Sequence, residues 1–175
     1  MSPGIVVWIT GLPSSGKSTF ARKLAERLGP AGAPACTLDG DEVRAAVAPA
    51  LGYGADGRAA FYEMLAGLGA LLATQGLVVL IPATANRRVF RDRARELAPA
   101  FIEIWVDTPL EECARRDSKG LFARAASGDV KHVPGSGVDY EPPLAPELTA
   151  HGGDDTEALE AAFGLLRAAR ARNQS

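Results

Sequence analysis

The stretch Ile5–Thr10 (IVVWIT), followed directly by Gly11–Ser18 (GLPSSGKS), decides the fold of this 175-residue chain. The first part is a near-continuous apolar run, which is typical of a strand buried inside a parallel sheet. The second part fits the pattern G-x-x-x-x-G-K-[ST], and Phe20–Leu28 continues with apolar residues at helical spacing. A buried strand, a glycine-rich loop and a helix in this order predict a phosphate-binding loop.

The loop is expected to bind a nucleotide through its backbone. Glycines let successive N–H groups converge on phosphate oxygens, and the helix N-terminus adds its partial positive charge. Lys17 is expected to reach the β- and γ-phosphates, and the Ser18 hydroxyl to bind Mg²⁺. A glycine-rich turn without a ligand is the alternative. The residues predicted to bind the nucleotide are Gly11, Ser14, Ser15, Gly16, Lys17, Ser18, Thr19 and Arg116.

Strand-like and helix-like segments alternate along the rest of the chain. The predicted strands are Ala35–Leu38, Leu77–Ala83 and Phe101–Asp107, and the predicted helices are Arg58–Thr74, Arg87–Leu97, Pro109–Arg116 with Thr108 as its N-cap, and Glu157–Ala169. This alternation predicts a three-layer α/β fold with a parallel sheet. The length favours a single domain over residues 1–175, with residues 170–175 as a frayed tail.

A long segment without strand or helix periodicity precedes the last helix. Residues 117–131 are charged and glycine-rich, and residues 133–147 (VPGSGVDYEPPLAPE) are rich in Pro and Gly. A loop of this length inside a compact domain is usually a lid or a binding loop, so we expect a lid over about residues 115–150. A basic lid beside a phosphate-binding loop favours a kinase, which must exclude water from the reacting phosphoryl group.

Composition excludes several classes of function. With 19 basic and 21 acidic residues the net charge is −2, which argues against a broad surface for nucleic-acid polymers or membranes. No apolar stretch is long enough for a membrane span, and Cys36 and Cys113 fit no metal or redox spacing. We therefore expect a cytoplasmic protein with a small-molecule partner. The 19 Gly and 12 Pro indicate long, shaped loops.

Two carboxylates follow the second predicted strand, in Asp39-Gly40-Asp41. This is the carboxyl edge of the sheet, where α/β folds bind ligands. A carboxylate there can order a metal-bound water or accept the proton of an attacking hydroxyl. We therefore predict Lys17 and Asp41 as catalytic residues, with Asp41 as a second candidate beside Ser18 for Mg²⁺. The alternative is that Asp41 is only a helix N-cap.

In combination and order, several motifs resemble the adenylylsulfate kinase family, from about Val6 to Leu148. They are WITGLPSSGKST, LDGDEVR, LGYGADGR, GLVVL, FIEIWVDTPLEECARRDSKGLF and YEPP…PEL. The resemblance implies a P-loop kinase fold, ATP and Mg²⁺ as cosubstrate and metal, and commonly a homodimer. It implies phosphorylation of the 3′-hydroxyl of adenosine 5′-phosphosulfate (APS).

The resemblance also assigns residues to the acceptor nucleotide. Asp41 matches the family's catalytic acidic residue, Arg44 and Arg58 match arginines that bind the acceptor, and Lys119-Gly120-Leu121 matches a KGL element in the lid. Tyr140 matches the aromatic residue of a P-Y-E segment. The complete set predicted for the acceptor is Asp39, Arg44, Arg58, Phe61, Lys119, Gly120, Leu121 and Tyr140.

The chain departs from the family on the acceptor side. Phe61 stands where the family has Asn, and Glu63 or Met64 where it has a second Arg, so we expect weaker anion binding and repulsion from Glu63. Ala85 stands at a family serine, and residues 133–136 (VPGS) replace an F-T-G-I stretch whose ring stacks on the acceptor base.

Three functions remain open from the sequence. The first is an ATP-dependent kinase acting on APS, and the second is the same chemistry on another nucleotide or hydroxyl compound. The third is a nucleotide-binding regulatory protein with little kinase activity. Retention of Lys17, Ser18, Asp41 and Lys119 weighs against the third, because a protein that only binds nucleotide needs no acceptor-side carboxylate.

Overall fold

The computed structural model describes residues 4–47 and 50–172. Its strands are β1 (Ile5–Thr10), β2 (Ala35–Thr37), β3 (Val78–Pro82), β4 (Phe101–Val106), β5 (Val133–Pro134), β6 (Gly137–Val138) and β7 (Leu148–Ala150). Its helices are α1 (Lys17–Leu28), α2 (Gly40–Val47), α3 (Ala55–Thr74), α4 (Arg88–Leu97), α5 (Leu110–Arg116), α6 (Leu121–Ala126) and α7 (Thr156–Arg172). No helix within these ranges is long and apolar enough to cross a membrane.

The main sheet has the order β2-β3-β1-β4-β7, and every pair in it is parallel. The central strand β1 pairs with β3 on one side, where Trp8 lies opposite Ile81, and with β4 on the other, where Trp8 lies opposite Glu103. All six residues of β1 are buried. The carboxyl end of β1 therefore leads into residues 11–16 at the middle of one sheet edge.

Alternate residues of β1 face opposite layers, because side chains alternate along a strand. Ile5, Val7 and Ile9 join a core cluster with the buried residues of α1 and α7. Val6 and Trp8 join a second cluster with α3 and α4. The sheet is thus covered by helices on both faces, which confirms the predicted three-layer α/β fold.

A third, smaller apolar cluster lies under the lid. Cys113 of α5, Phe122 of α6 and Val133 are buried together, and Leu12 of the glycine-rich loop packs against them. The Asp117 carboxylate accepts the N–H groups of Phe122 (3.0 Å) and Ala123 (2.9 Å), and so caps α6. These hydrogen bonds lower the pKa of Asp117. The lid is therefore a folded element seated on the loop.

Three local predictions were wrong. The segment predicted as loop contains β7, whose Ala150 is fully buried, and it also contains α6. Thr108 does not cap α5, because Pro109 holds that position and the Thr108 hydroxyl donates to the Ser15 carbonyl (2.8 Å). The predicted frayed tail is helical to Arg172, and residues 173–175 lie outside the described part of the chain.

Candidate active site

The glycine-rich loop connects β1 to α1 and is shaped by close backbone packing. Gly16 has a φ of 106°, and a Cβ atom there would lie 2.5 Å from the nitrogen of Gly153. A side chain at position 16 would therefore be strained and would also collide with the segment between β7 and α7. The loop is fixed by Thr108 and Gly153 as well as by its own sequence.

Lys17, the first residue of α1, is buried in this loop. Its ammonium donates a hydrogen bond to the Leu12 carbonyl (2.7 Å). Burial lowers the pKa of Lys17 to about 8, although the negative charge of Asp41 acts in the opposite direction. A buried cation whose hydrogen bond goes to a neutral carbonyl is suited to bind the phosphates of a nucleotide, which would add negative charge beside it.

Asp39 joins the end of β2 to the start of α2 and to the glycine-rich loop. Its Oδ2 atom accepts a hydrogen bond from the Ser18 hydroxyl (2.6 Å). Its Oδ1 atom accepts the N–H groups of Asp41 (3.0 Å) and, at 3.5 Å, Glu42. Asp39 is therefore the N-cap of α2. The alternative that Asp41 is only a helix N-cap does not hold, because Asp39 has that role. The structure places Asp39 beside the nucleotide-binding loop.

Asp41 instead faces the lid, where its carboxylate pairs with the ammonium of Lys119. Burial lowers the pKa of Lys119, but the hydrogen bond and charge of Asp41 outweigh it, and the pKa is raised. Both side chains remain more than half exposed. This ion pair joins α2 to the lid. Because both side chains are exposed, each can leave the ion pair and contact a ligand instead.

Arg44 of α2 and Arg58 of α3 have buried guanidinium groups beside the lid, and the region between the glycine-rich loop, α2, α3 and the lid is called the cleft below. Arg44 donates to the carbonyls of Leu51 (3.1 Å) and Gly52 (3.4 Å). Arg58 donates to the carbonyl of His132 in the lid, and burial lowers its pKa, an effect to which the charge of Arg44 adds. Among residues 4–47 and 50–172, neither guanidinium forms an ion pair with a carboxylate. Buried positive charge of this kind favours a negatively charged partner.

Tyr53 is a further candidate site residue that the sequence alone did not indicate. Its ring lies 4.6 Å from the guanidinium carbon of Arg44, and it is one of the exposed large hydrophobic residues. An exposed aromatic ring beside a buried cation offers a stacking surface at the mouth of the cleft. The only sequence signal was an aromatic residue in the LGYGADGR motif.

Tyr140 lies near the carboxyl end of β1. The Thr10 hydroxyl donates to the Thr84 carbonyl (2.7 Å), so the Tyr140 hydroxyl donates to Thr10 Oγ1 (3.0 Å). Burial raises the pKa of Tyr140 to about 12. Its hydroxyl is therefore a neutral donor that fastens residues 139–142 to the sheet edge.

The same loop is held by Arg91, a buried residue of α4 that the sequence analysis did not single out. Its guanidinium pairs with Glu103 of β4 (2.7 Å) and donates to the carbonyls of Ala85 and Glu141. One charged side chain thus connects a helix, a strand and two loops. The helix contains several arginines, and nothing in the sequence indicates which of them is buried.

The positions that depart from the family occupy distinct places. Glu63 pairs with Arg93 of α4 at the surface, so its charge is balanced there by a neighbouring helix. Ala85 is fully buried and has a φ of 39°. Phe61 is buried with its ring under Arg44, and Val133 packs in the lid cluster.

The structure brings most predicted site residues to one cleft between the glycine-rich loop, α2, α3 and the lid. Ser14 reaches Ser118 of the lid with a hydroxyl–hydroxyl distance of 3.4 Å. Arg116 pairs with Glu112 on its own helix, and Gly120 stands at the N-cap of α6 with a φ of 63°. No cluster of three His, Cys, Asp or Glu side chains suited to a metal ion occurs in the described ranges.

Comparison with known proteins identifies the family. The model of the adenylylsulphate kinase family matches residues 3–151. An adenylyl-sulfate kinase from Picosynechococcus sp. is 40% identical over 157 residues, which is 90% of this chain and 88% of that protein. One from Chloroflexus aurantiacus is 39% identical over 145 residues, covering 83% of this chain and 78% of that protein.

A solved structure gives the same result. The APS kinase CysC of Mycobacterium tuberculosis, in complex with AMPPNP and APS, superposes with a TM-score of 0.89 at 35% identity, covering 95% of this chain and 99% of that one. The motifs, the parallel sheet and the glycine-rich loop therefore agree with sequence and structural similarity over most of the chain. The chain belongs to the adenylylsulphate kinase family of P-loop kinases.

Proposed function

We propose that the chain transfers the γ-phosphoryl group of ATP to the 3′-hydroxyl of APS. The proposal rests on one cleft that joins a phosphate-binding loop, an acceptor-side carboxylate and two buried guanidinium groups that pair with no carboxylate in the described part of the chain. The Mycobacterium tuberculosis relative, with AMPPNP and APS bound, supports the same pair of ligands for this fold.

On the nucleotide side, Lys17 and the loop amides neutralise the ATP phosphates. The Lys17 ammonium exchanges the Leu12 carbonyl for phosphate oxygens, which are stronger partners because they are charged. Ser18 and Asp39 fit Mg²⁺, since their oxygen atoms lie 2.6 Å apart beside the loop, and Mg²⁺ commonly takes one or two carboxylates together with substrate phosphates. When bound, Mg²⁺ would neutralise charge that develops on the phosphoryl oxygens.

On the acceptor side, Arg58 and Arg44 attract the negatively charged phosphosulfate group. The acceptor hydroxyl attacks the γ-phosphorus, the bond from phosphorus to the β,γ-bridging oxygen breaks, and ADP leaves. Asp41 orients the hydroxyl and accepts its proton, which requires Lys119 to release the carboxylate. Lys119 then remains a cation of the lid, and the lid excludes water from the reacting group.

A coupled assay of ADP release, with APS as acceptor and Lys17→Ala as the inactive control, tests the proposal. APS-dependent turnover at a rate usual for kinases supports it. Turnover that requires another nucleotide or hydroxyl compound instead shows the same chemistry on a different acceptor. Tight ATP binding without turnover on any acceptor identifies a nucleotide-binding protein. The homodimer implied by the family stays a prediction, which light scattering checks.

A further inference from the structure

The Arg44 guanidinium is held in an unusual environment. Its carbon atom lies 3.9 Å from the centre of the Phe61 ring, closer than its 4.6 Å distance from the Tyr53 ring. It donates to the two carbonyls of residues 51 and 52 through one nitrogen, Nη1. Arg44 is almost completely buried, with 7% of its surface exposed.

A guanidinium group that is buried near a second cation is stabilised by groups that present a negative potential to it. Arg58 lies close enough for its charge and that of Arg44 to repel each other, and neither pairs with a carboxylate within the described ranges. The face of an aromatic ring carries a partial negative charge and stabilises a cation above it, most strongly where water is excluded. The Phe61 ring therefore offsets part of the cost of keeping Arg44 charged and buried.

Phe61 is itself rigidly placed. It is 2% exposed on α3, and its ring packs edge-on against Tyr62 with centroids 5.3 Å apart. Tyr62 in turn stacks on Phe90 of α4 at 4.9 Å. This aromatic row extends from the core between α3 and α4 to the floor of the cleft, so the position of the Phe61 ring is fixed by the core rather than by a ligand.

We propose that Phe61 is a positioning residue that sets the affinity for the acceptor by holding the Arg44 guanidinium in the cleft. This inference rests on the proposed function. A leucine at position 61 would fill much of the same volume in the core, but it would present no ring face to the cation. Arg44 would keep its hydrogen bonds to residues 51 and 52 and the exposed Tyr53 ring, but it would lose the buried ring closest to its charge, so its position would be less fixed. The loss of pre-organised positive charge would be confined to the acceptor side.

The kinetic test compares Phe61→Leu with Leu65→Met, a core substitution one turn further along α3 at another buried residue. Phe61→Leu is expected to raise the KM for APS by about fivefold, since a cation–π contact is worth about 1 kcal/mol or more. The KM for ATP should not change. Leu65→Met should leave both KM values unchanged. An unchanged KM for APS in Phe61→Leu overturns the inference.

A spectroscopic test of the free protein does not depend on turnover. The Nε–H resonance of Arg44, assigned by its disappearance in Arg44→Lys, should lie upfield because of ring currents and should move downfield in Phe61→Leu. A resonance that does not move overturns the inference, because Phe61 then does not hold the guanidinium.

Calorimetric titration with APS in the presence of AMPPNP separates the two proposals. A parent chain that neither binds nor phosphorylates APS defeats the proposed function together with this inference. A parent chain that binds APS, with the same Kd in Phe61→Leu, defeats only the inference. An increase of about fivefold in that Kd supports both.

Discussion

At the residue scale, the buried ammonium of Lys17 destabilises the free protein. We predict that Lys17→Met abolishes turnover and raises the free energy of unfolding at pH 7 by about 1–3 kcal/mol. Lys17 is protonated at pH 7 in both the folded and the unfolded chain. Burying this charged ammonium therefore lowers the free energy of unfolding of the parent protein. The pKa of Lys17 in the folded protein is about 8, below the ordinary value of 10.5. The titratable groups near its ammonium are Asp41, Cys113, Lys119 and Asp39.

The sign of the pH dependence follows from this shift. Above about pH 8 the folded parent releases the Lys17 proton while the unfolded chain keeps it, so the parent gains stability as pH rises. The advantage of Lys17→Met should therefore shrink between pH 8 and 10. Urea unfolding of Lys17→Met and of the parent at pH 7, 8 and 9 measures the difference in their free energies of unfolding. A difference that stays constant with pH would contradict the lowered pKa of Lys17.

Asp41 is the residue whose chemical role is most easily separated from a structural one. Asp41→Asn should lower kcat by about 100-fold or more, as expected when a proton acceptor is lost, with little change in the KM for ATP. Because Asp39 caps α2, stability should change by less than about 0.5 kcal/mol. Glu42→Gln, an exposed neighbour on the same helix, is the control. A normal kcat in Asp41→Asn would remove Asp41 from the mechanism.

At the element scale, α6 depends on the Asp117 carboxylate. Asp117→Ala leaves the N–H groups of Phe122 and Ala123 without their acceptor, at a cost of about 1 kcal/mol that should fall on the lid alone. We expect faster amide exchange in residues 121–126 and a lower kcat/KM for the acceptor. Exchange in β1 and β4 should stay slow. Hydrogen exchange measured by mass spectrometry checks both regions, and faster exchange throughout the sheet would argue against a local cap.

The elements differ in how far the sequence determines them. β1 and the glycine-rich loop are recognisable because six consecutive residues are buried and the motif is local. The strand β7 cannot be recognised from the sequence, because it has three residues and only Ala150 is fully buried. The pairing of Asp41 with Lys119 joins residues 78 positions apart, which no local pattern contains. The residue types at the site were thus predictable, but the partners that the fold gives them were not.

At the scale of the whole molecule, the Arg91–Glu103 ion pair connects a helix layer to the sheet. Arg91→Met should lower the free energy of unfolding by about 3–5 kcal/mol, because it leaves the buried Glu103 carboxylate without its nearest partner. Arg93→Met breaks exposed pairs with Glu63 and Glu96 and should cost less than about 1 kcal/mol. Urea denaturation of the two variants compares them. Equal losses would show that Arg91 is no more important than a surface charge.

The contact between Gly16 and Gly153 has a consequence for the order of folding during synthesis. The glycine-rich loop is translated before the segment that packs behind it, because Gly153 lies 137 positions after Gly16. The strand β7, which leads into that segment, is also translated after the loop. Since domains fold as units once their chain is available, a nascent chain that has reached only residue 140 lacks the backbone of Gly152 and Gly153 against which Gly16 packs. The loop therefore acquires its complete packing only after Gly153 has been translated.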